Sequence, residues 1–197
     1  MTPRERMVAS TALLIRERGA HATAIADVLA HSGAPRGSAY HYFPGGRTQL
    51  LCEAIDYASE YVAGRITRAG SGLDALDGLV ATYRDQLIRT DYRAGCPVVA
   101  VAVEAGEPAD PTRAVPVIDR AAAAFDRWNA LTAERLVLDG VDPARAEELA
   151  MLMTAAIEGA IVVARATRSV KPLDLVHRQL RELLRAEISR KGDDDGR

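Results

Sequence analysis

Along the 197-residue chain, apolar positions recur at three- and four-residue spacing, and no stretch alternates as a strand would. Residues 3–18 place Met7, Thr11, Leu14 and Ile15 on one stripe, and Gly19 stops the helix. Thr23 predicts an N-cap for a short helix over 24–30, with Asp27 near its positive end. Ser32-Gly33 reads as a turn, and Pro35 suits the first position of a helix reaching about Tyr42. The "PGG" at 44–46 breaks that helix. Longer helices are predicted over 47–68, 73–91, 97–106, 115–138, 143–168 and 172–190. The segments "GSG", "YRAGCP", "GEPADPTRAVP", "DGVDP" and "SVKP" separate them. Asp142 is the expected N-cap before Pro143, and Ile118, Ala122, Phe125 and Trp128 mark one side of the 115–138 helix. The expected fold is all-α with about nine helices. It comprises a small three-helix domain over 1–46, a larger helical domain over 47–190 and a disordered tail over 191–197.

Composition adds a close-packed interior. Apolar residues make up 48% of the chain but aromatics only 5%, so Ala, Leu and Val must supply the core. The net charge of −2 excludes a chain that is basic throughout. Residues 1–50 nevertheless carry six Arg (4, 6, 16, 18, 36, 47) against Glu5, Glu17 and Asp27. That local +3 leaves −5 for the remainder and points to an anionic partner for the N-terminal domain. Cys52 and Cys96 form no CxxC or Cys/His cluster, which argues against a disulfide framework or structural zinc. No charge-free apolar run of about 18 residues is seen, and "MTPRERM" lacks an apolar leader core, so a cytoplasmic protein without a membrane span is expected.

The stretch "HSGAPRGSAYHYFPGGR" over 31–47 combines glycines, prolines, basic groups and aromatics. As a phosphate loop it fails, because Gly33, Gly37, Gly45 and Gly46 lack the required spacing and follow no strand. As a metal site it fails too, because His21, His31 and His41 lie ten apart with no carboxylate at useful spacing to orient them. A helix-turn-helix fits. Ile25, Val28 and Leu29 give the first helix an inner face, and Gly33 permits the turn. Arg36 can reach guanine or phosphate, Gly37 and Ser38 allow close approach to a groove, and Tyr40 and Tyr42 can place hydroxyls on phosphate oxygens.

With these residues in view, "TAIADVLAHSGAPRGSAYHYFPGGRTQLL" resembles the DNA-binding motif of the TetR family of bacterial transcriptional regulators. The two-glycine "FPGGR" is similar to the LmrA/YxaF-like branch, as is "AGCPVVAVAVE" at 94–104. The resemblance implies that Thr23 caps the second helix and touches phosphate. It implies a recognition helix over 34–41, including Pro35 and His41, with Arg36, Gly37 and Ser38 nearest the bases. Tyr40 and Tyr42 would meet the DNA backbone, Arg47 would clamp a phosphate at a helix start, and Phe43 would be core. Pro35 stands where the family often has Ser, and Tyr42 where it often has His.

For the larger domain the resemblance implies a homodimer joined by the last two helices. Small residues in "MTAAIEGAIVVARA" agree, and Ala156, Ala160, Val163 and Ala164 with Val176, Leu180 and Leu184 are the expected interface. The implied effector pocket between the middle helices has Tyr83, Leu87, Cys96, Phe125, Trp128, Met151 and Glu158 as candidate lining. The function expected is a ligand-responsive repressor, dimeric on a palindromic double-stranded operator and released by a small apolar or aromatic effector, with no cofactor. The alternative is an all-helical carrier or enzyme without DNA binding. Against an enzyme, no nucleophile–base pair or paired carboxylates appear, and Glu104 with Glu107 is expected in solvent.

Overall fold

The computed structural model describes residues 1–104 and 111–194, with side chains described over 1–104 and 116–189. Among these residues every regular element is a helix. They are α1 (Pro3–Arg18), α2 (Ile25–Ser32), α3 (Ser38–Tyr42), α4 (Gly46–Arg68), α5 (Gly72–Arg89), α6 (Pro97–Val103), α7 (Pro111–Leu138), α8 (Pro143–Thr167) and α9 (Lys171–Asp194).

Helix ends follow local chemistry. Thr2 and Glu5 form a reciprocal capping box at α1, the Glu5 amide donating to Thr2 Oγ1 at 3.2 Å and the Thr2 amide to Glu5 Oε2 at 2.8 Å. Ser71 caps α5 through the Asp74 amide, and Asp142 caps α8 through the amides of Ala144 and Arg145, with Pro143 in the first turn as expected. Several boundaries differ from expectation. α3 starts at Ser38, because Pro35–Gly37 forms a separate turn closed by the Ser38 amide on the Pro35 carbonyl at 3.0 Å. α7 starts at Pro111 and holds Pro116 inside it. α9 continues through 191–194, residues expected to be disordered, because a long helix gains a bond with each added residue; 195–197 lie outside the described residues.

The chain packs as two compact units. The first comprises Met1–Glu60 and Arg93–Ala124, the second Tyr61–Tyr92 and Phe125–Arg197. This grouping departs from a boundary at residue 46, because α6 packs on α1 and buries Val98 and Val101. In the first unit Met7, Val8, Val28, Ala34, Ala39, Phe43 and Leu50 form one buried cluster, with Leu14, Ile25, Leu29 and Tyr42 against it.

In the second unit α5, α8 and α9 pack pairwise. Leu173, Leu180 and Leu184 of α9 are buried, as are Met153, Ile157, Ala160, Ile161 and Ala164 of α8. Asp77 on α5 binds His177 Nε2 and the Arg181 guanidinium of α9, each at 2.7 Å, and Arg84 binds Asp174 at 3.1 Å. Of the expected dimer residues, Ala160, Ala164, Leu180 and Leu184 are therefore internal. α8 is long and apolar enough to cross a membrane by length and composition, yet 44% of that window is buried inside the protein. Its outer face carries Leu152, Val162 and Val163. The α7 stripe is also rotated from expectation: Val117, Ala121, Ala124 and Trp128 are buried, whereas Ala122 is exposed.

These positions predict a clear contrast on α9. Leu180→Ala should destabilise the fold by about 2–5 kcal/mol by leaving a cavity, whereas Leu175→Ala, which trims a side chain 49% exposed, should cost under about 1 kcal/mol. Urea denaturation followed by circular dichroism reads both.

Candidate nucleic-acid interface

α2 and α3 are positioned by the cluster beneath them. Gly33 ends α2 in the left-handed region at φ 65°, which suits glycine, and the chain turns toward α3. Ala39 and Phe43 point inward, each about 1% exposed. Phe43 is core, as expected, and the Arg4 guanidinium lies 5.3 Å from its ring centroid while pairing with Glu53 at 2.7 Å. With Ala39 and Phe43 inside, the opposite edge is presented outward. Pro35, Arg36, Gly37, Tyr40 and His41 are all exposed, Tyr40 at 73%. His41 meets Tyr42 edge-on at 5.2 Å, and Tyr42 is half-buried against the cluster. Ser38 Oγ donates to the Pro35 carbonyl at 2.6 Å, holding the turn.

Two residues expected at phosphates do other work. Thr23 is only 1% exposed and does not cap α2; its hydroxyl donates to the Gly19 carbonyl at 2.7 Å. The α2 N-cap is Ala24, whose amide is met by Asp27 Oδ2 at 3.2 Å. Arg47 turns its guanidinium onto the loop before α2. Nε donates to the Thr23 carbonyl at 3.0 Å, and one terminal nitrogen donates to the Ala20 and His21 carbonyls. Partial burial lowers the pKa of Arg47 from its ordinary value, while the nearby Glu104 charge acts to raise it. A fork of donors across three carbonyls braces the loop rather than reaching outward. Sequence reading found Arg47 but missed this role, since the carbonyls lie 24 to 27 residues away.

The second unit contains a small cavity of about 20 Å³, enough for roughly one water. Tyr83, Trp128 and Glu158, three of the candidate effector-pocket residues, line it together with Ile66, Met153 and Thr132. Phe125 stacks edge-on against Trp128 at 5.5 Å instead of lining it. Leu87 is core, and Met151 is 64% exposed because two residues, more than half a helical turn, separate it from Met153, which faces inward instead. Cys96 belongs to the other unit, where it is the buried N-cap of α6. The Cys52 thiol, also in the first unit, has its pKa raised chiefly by burial. No group of three or more His, Cys, Asp or Glu able to hold a metal occurs among the described residues. Glu104 is partly exposed, and its carboxylate accepts the His21 amide at 2.8 Å; Glu107 lies outside the described residues.

Comparison with known proteins decides what this arrangement is. Residues 8–54 match the family described as bacterial regulatory proteins, tetR family, and residues 72–179 match the LmrA/YxaF-like transcriptional regulator C-terminal domain. The chain belongs to the TetR family of bacterial transcriptional regulators. It is 68% identical to the HTH-type transcriptional regulator Rv0196 of Mycobacterium tuberculosis, over 94% of this chain and 96% of that protein. It is 29% identical to the HTH-type transcriptional regulator LmrA of Bacillus subtilis, over 86% and 90% respectively. A TetR regulator from Legionella pneumophila shares the fold with a TM-score of 0.78 at 18% identity, covering 93% of this chain and 97% of that one. As a TetR-family regulator the protein carries a DNA-binding helix-turn-helix in α2–α3 and is not an enzyme.

The buried place of Thr23 yields a prediction for this TetR protein. Thr23→Val should cost about 1 kcal/mol in stability through the lost hydroxyl bond. It should leave the salt dependence of DNA binding unchanged, which a lost phosphate contact would not. Thermal denaturation and a salt-titrated binding assay read the two effects.

Proposed function

We propose that this TetR-family protein is a cytoplasmic, ligand-responsive repressor that binds a palindromic operator as a homodimer. The observation that carries the reading is the outward edge formed by Pro35, Arg36, Gly37, Tyr40 and His41 over an inward-anchored Ala39 and Phe43. Arg36 supplies a fork suited to guanine or phosphate, and Tyr40 a hydroxyl suited to phosphate. Gly37 supports the same reading. Its φ is −79°, which any residue adopts, and a Cβ there would meet nothing within 4 Å. The protein itself does not require glycine at this place; a groove wall approaching the backbone does.

Two such edges must meet half-sites about 34–36 Å apart or a multiple of that, which calls for a dimer. The face that supports one is the exposed α8 stripe with Leu152, Ala155, Gly159, Val162 and Val163, beside the half-buried Ala156 and, on α9, Val176 with the exposed Leu175. Small residues at this spacing let helices approach closely. The effector reading rests on the cavity lined by Trp128, Tyr83 and Glu158. A small aromatic needs several hundred Å³, so binding must open this cavity, and that opening is the difference between two states that effector and DNA would bias oppositely.

Fluorescence anisotropy on duplexes selected by the protein from a random library tests the interface. Arg36→Ala should weaken the selected duplex by about 1–3 kcal/mol and relax base preference, and Tyr40→Phe should weaken it without changing preference. Gly37→Ala should weaken binding while leaving thermal stability within about 0.5 kcal/mol. Equal binding of selected and scrambled duplexes by the wild type would reject the reading. Val163→Arg should convert the dimer to a monomer in analytical ultracentrifugation, since it buries an unpaired charge at the proposed contact.

A further inference from the structure

The motif at 94–104 has so far no role beyond packing, and its last residue, Glu104, reaches the loop that launches α2. α6 is tied at one end to α1 and at the other to the loop that follows α1. At its leading end the Gly95 amide donates to the Arg16 carbonyl at 2.8 Å. At its trailing end Glu104 Oε2 accepts the His21 amide at 2.8 Å. The same carboxylate lies so close over Gly19 that a Cβ there would stand 1.8 Å from Oε1, and Gly19 itself has φ +88°. The backbone of the loop thus favours glycine, and a side chain at this place would displace the Glu104 carboxylate.

Arg47 holds the opposite polarity of the same loop, donating to the carbonyls of Ala20, His21 and Thr23. The acidic group therefore takes a backbone N–H, the basic group takes backbone carbonyls, and the loop is fixed between them. Thr23 Oγ1 on the Gly19 carbonyl closes it, and Arg18 with Asp27 at 2.9 Å ties α1 to the first turn of α2. A charge-assisted hydrogen bond is short and directional, so a small displacement of α6 breaks it.

We propose that Glu104 is a positioning residue for DNA reading: by holding the His21 amide against Arg47's grip on the carbonyls, it makes the placement of α6 set the placement of α2 and hence of α3. This rests on the DNA-binding reading above. Glu104 touches no base in it and acts only through the loop.

The sign of the effect separates this role from simple charge. Removing a carboxylate from a DNA-binding unit strengthens binding to any duplex electrostatically. Loss of positioning weakens the selected duplex alone. The test compares Glu104→Ala, Glu104→Gln and the control Val103→Ala, whose side chain is 75% exposed on the same helix. Each full-length protein is titrated with the selected duplex and with a scrambled one, and amide hydrogen exchange is read over residues 19–32. Glu104→Ala should weaken the selected duplex about tenfold, the size of one charge-assisted bond, and leave the scrambled duplex unchanged or tighter. Exchange at His21 should quicken by a similar factor. Glu104→Gln, which keeps the acceptor oxygen, should restore most of both, and Val103→Ala should match the wild type.

Unchanged affinity for the selected duplex in Glu104→Ala overturns the proposal. So does an equal loss on both duplexes, which marks general loosening of the fold, and so does failure of Gln to rescue. If the wild type selects no duplex, the repressor reading fails and the DNA role of Glu104 with it. In that case exchange at His21 still reports whether the carboxylate holds the loop.

Discussion

Everything at the DNA-binding end depends on burying Ala39 and Phe43. A helix of five residues does not persist alone, because nucleating a turn costs more than so few bonds return. α3 exists because its inner edge closes a cluster made by Met7 and Val8 of α1, Val28 of α2 and Leu50 of α4. The same burial decides which side chains face outward. Tyr40 follows Ala39 and is exposed, and Arg36 and Gly37 occupy the turn that the short helix leaves uncovered. The set of side chains that α3 presents outward is here a consequence of core packing.

Around that cluster the polar groups serve orientation. Arg47 and Glu104 grip one loop by its carbonyls and its amide, while Arg18 and Asp27 span the helices on either side of it. None of these groups needs to touch a ligand to affect what α3 can reach. A helix-turn-helix is read as a list of contact residues, but its precision comes from such braces, because a displacement of about 1 Å at the groove undoes a bidentate contact.

The second unit applies the same economy to apolar residues. α8 is small and apolar nearly all round, so one face can pack on α5 and α9 while another stays outside. The hydrogen bonds of Asp77 with His177 and Arg181 bridge the α5–α9 contact at its margin. At the cavity, Trp128 is braced edge-on by Phe125, which gives the only tryptophan of the chain a fixed orientation.

By itself the sequence determined the helices, most of their caps, the family motif and the inward role of Phe43. These follow from spacing of three and four residues, from Gly, Pro and capping side chains, and from local patterns that need no partner. Only the tertiary structure decided which stripe of an Ala-rich helix faces inward. Ala121 and Ala124 are buried while Ala122 is exposed, and adjacent alanines carry no difference in hydrophobicity for a pattern to register. It likewise decided that Leu180 and Leu184 pack within the chain, that Met153 rather than Met151 meets the cavity, and that Thr23 turns inward. Glu104 and His21 lie 83 residues apart, and no local rule relates them. A side chain's partner across such a distance is set by how whole helices pack, and that is an outcome of the complete fold.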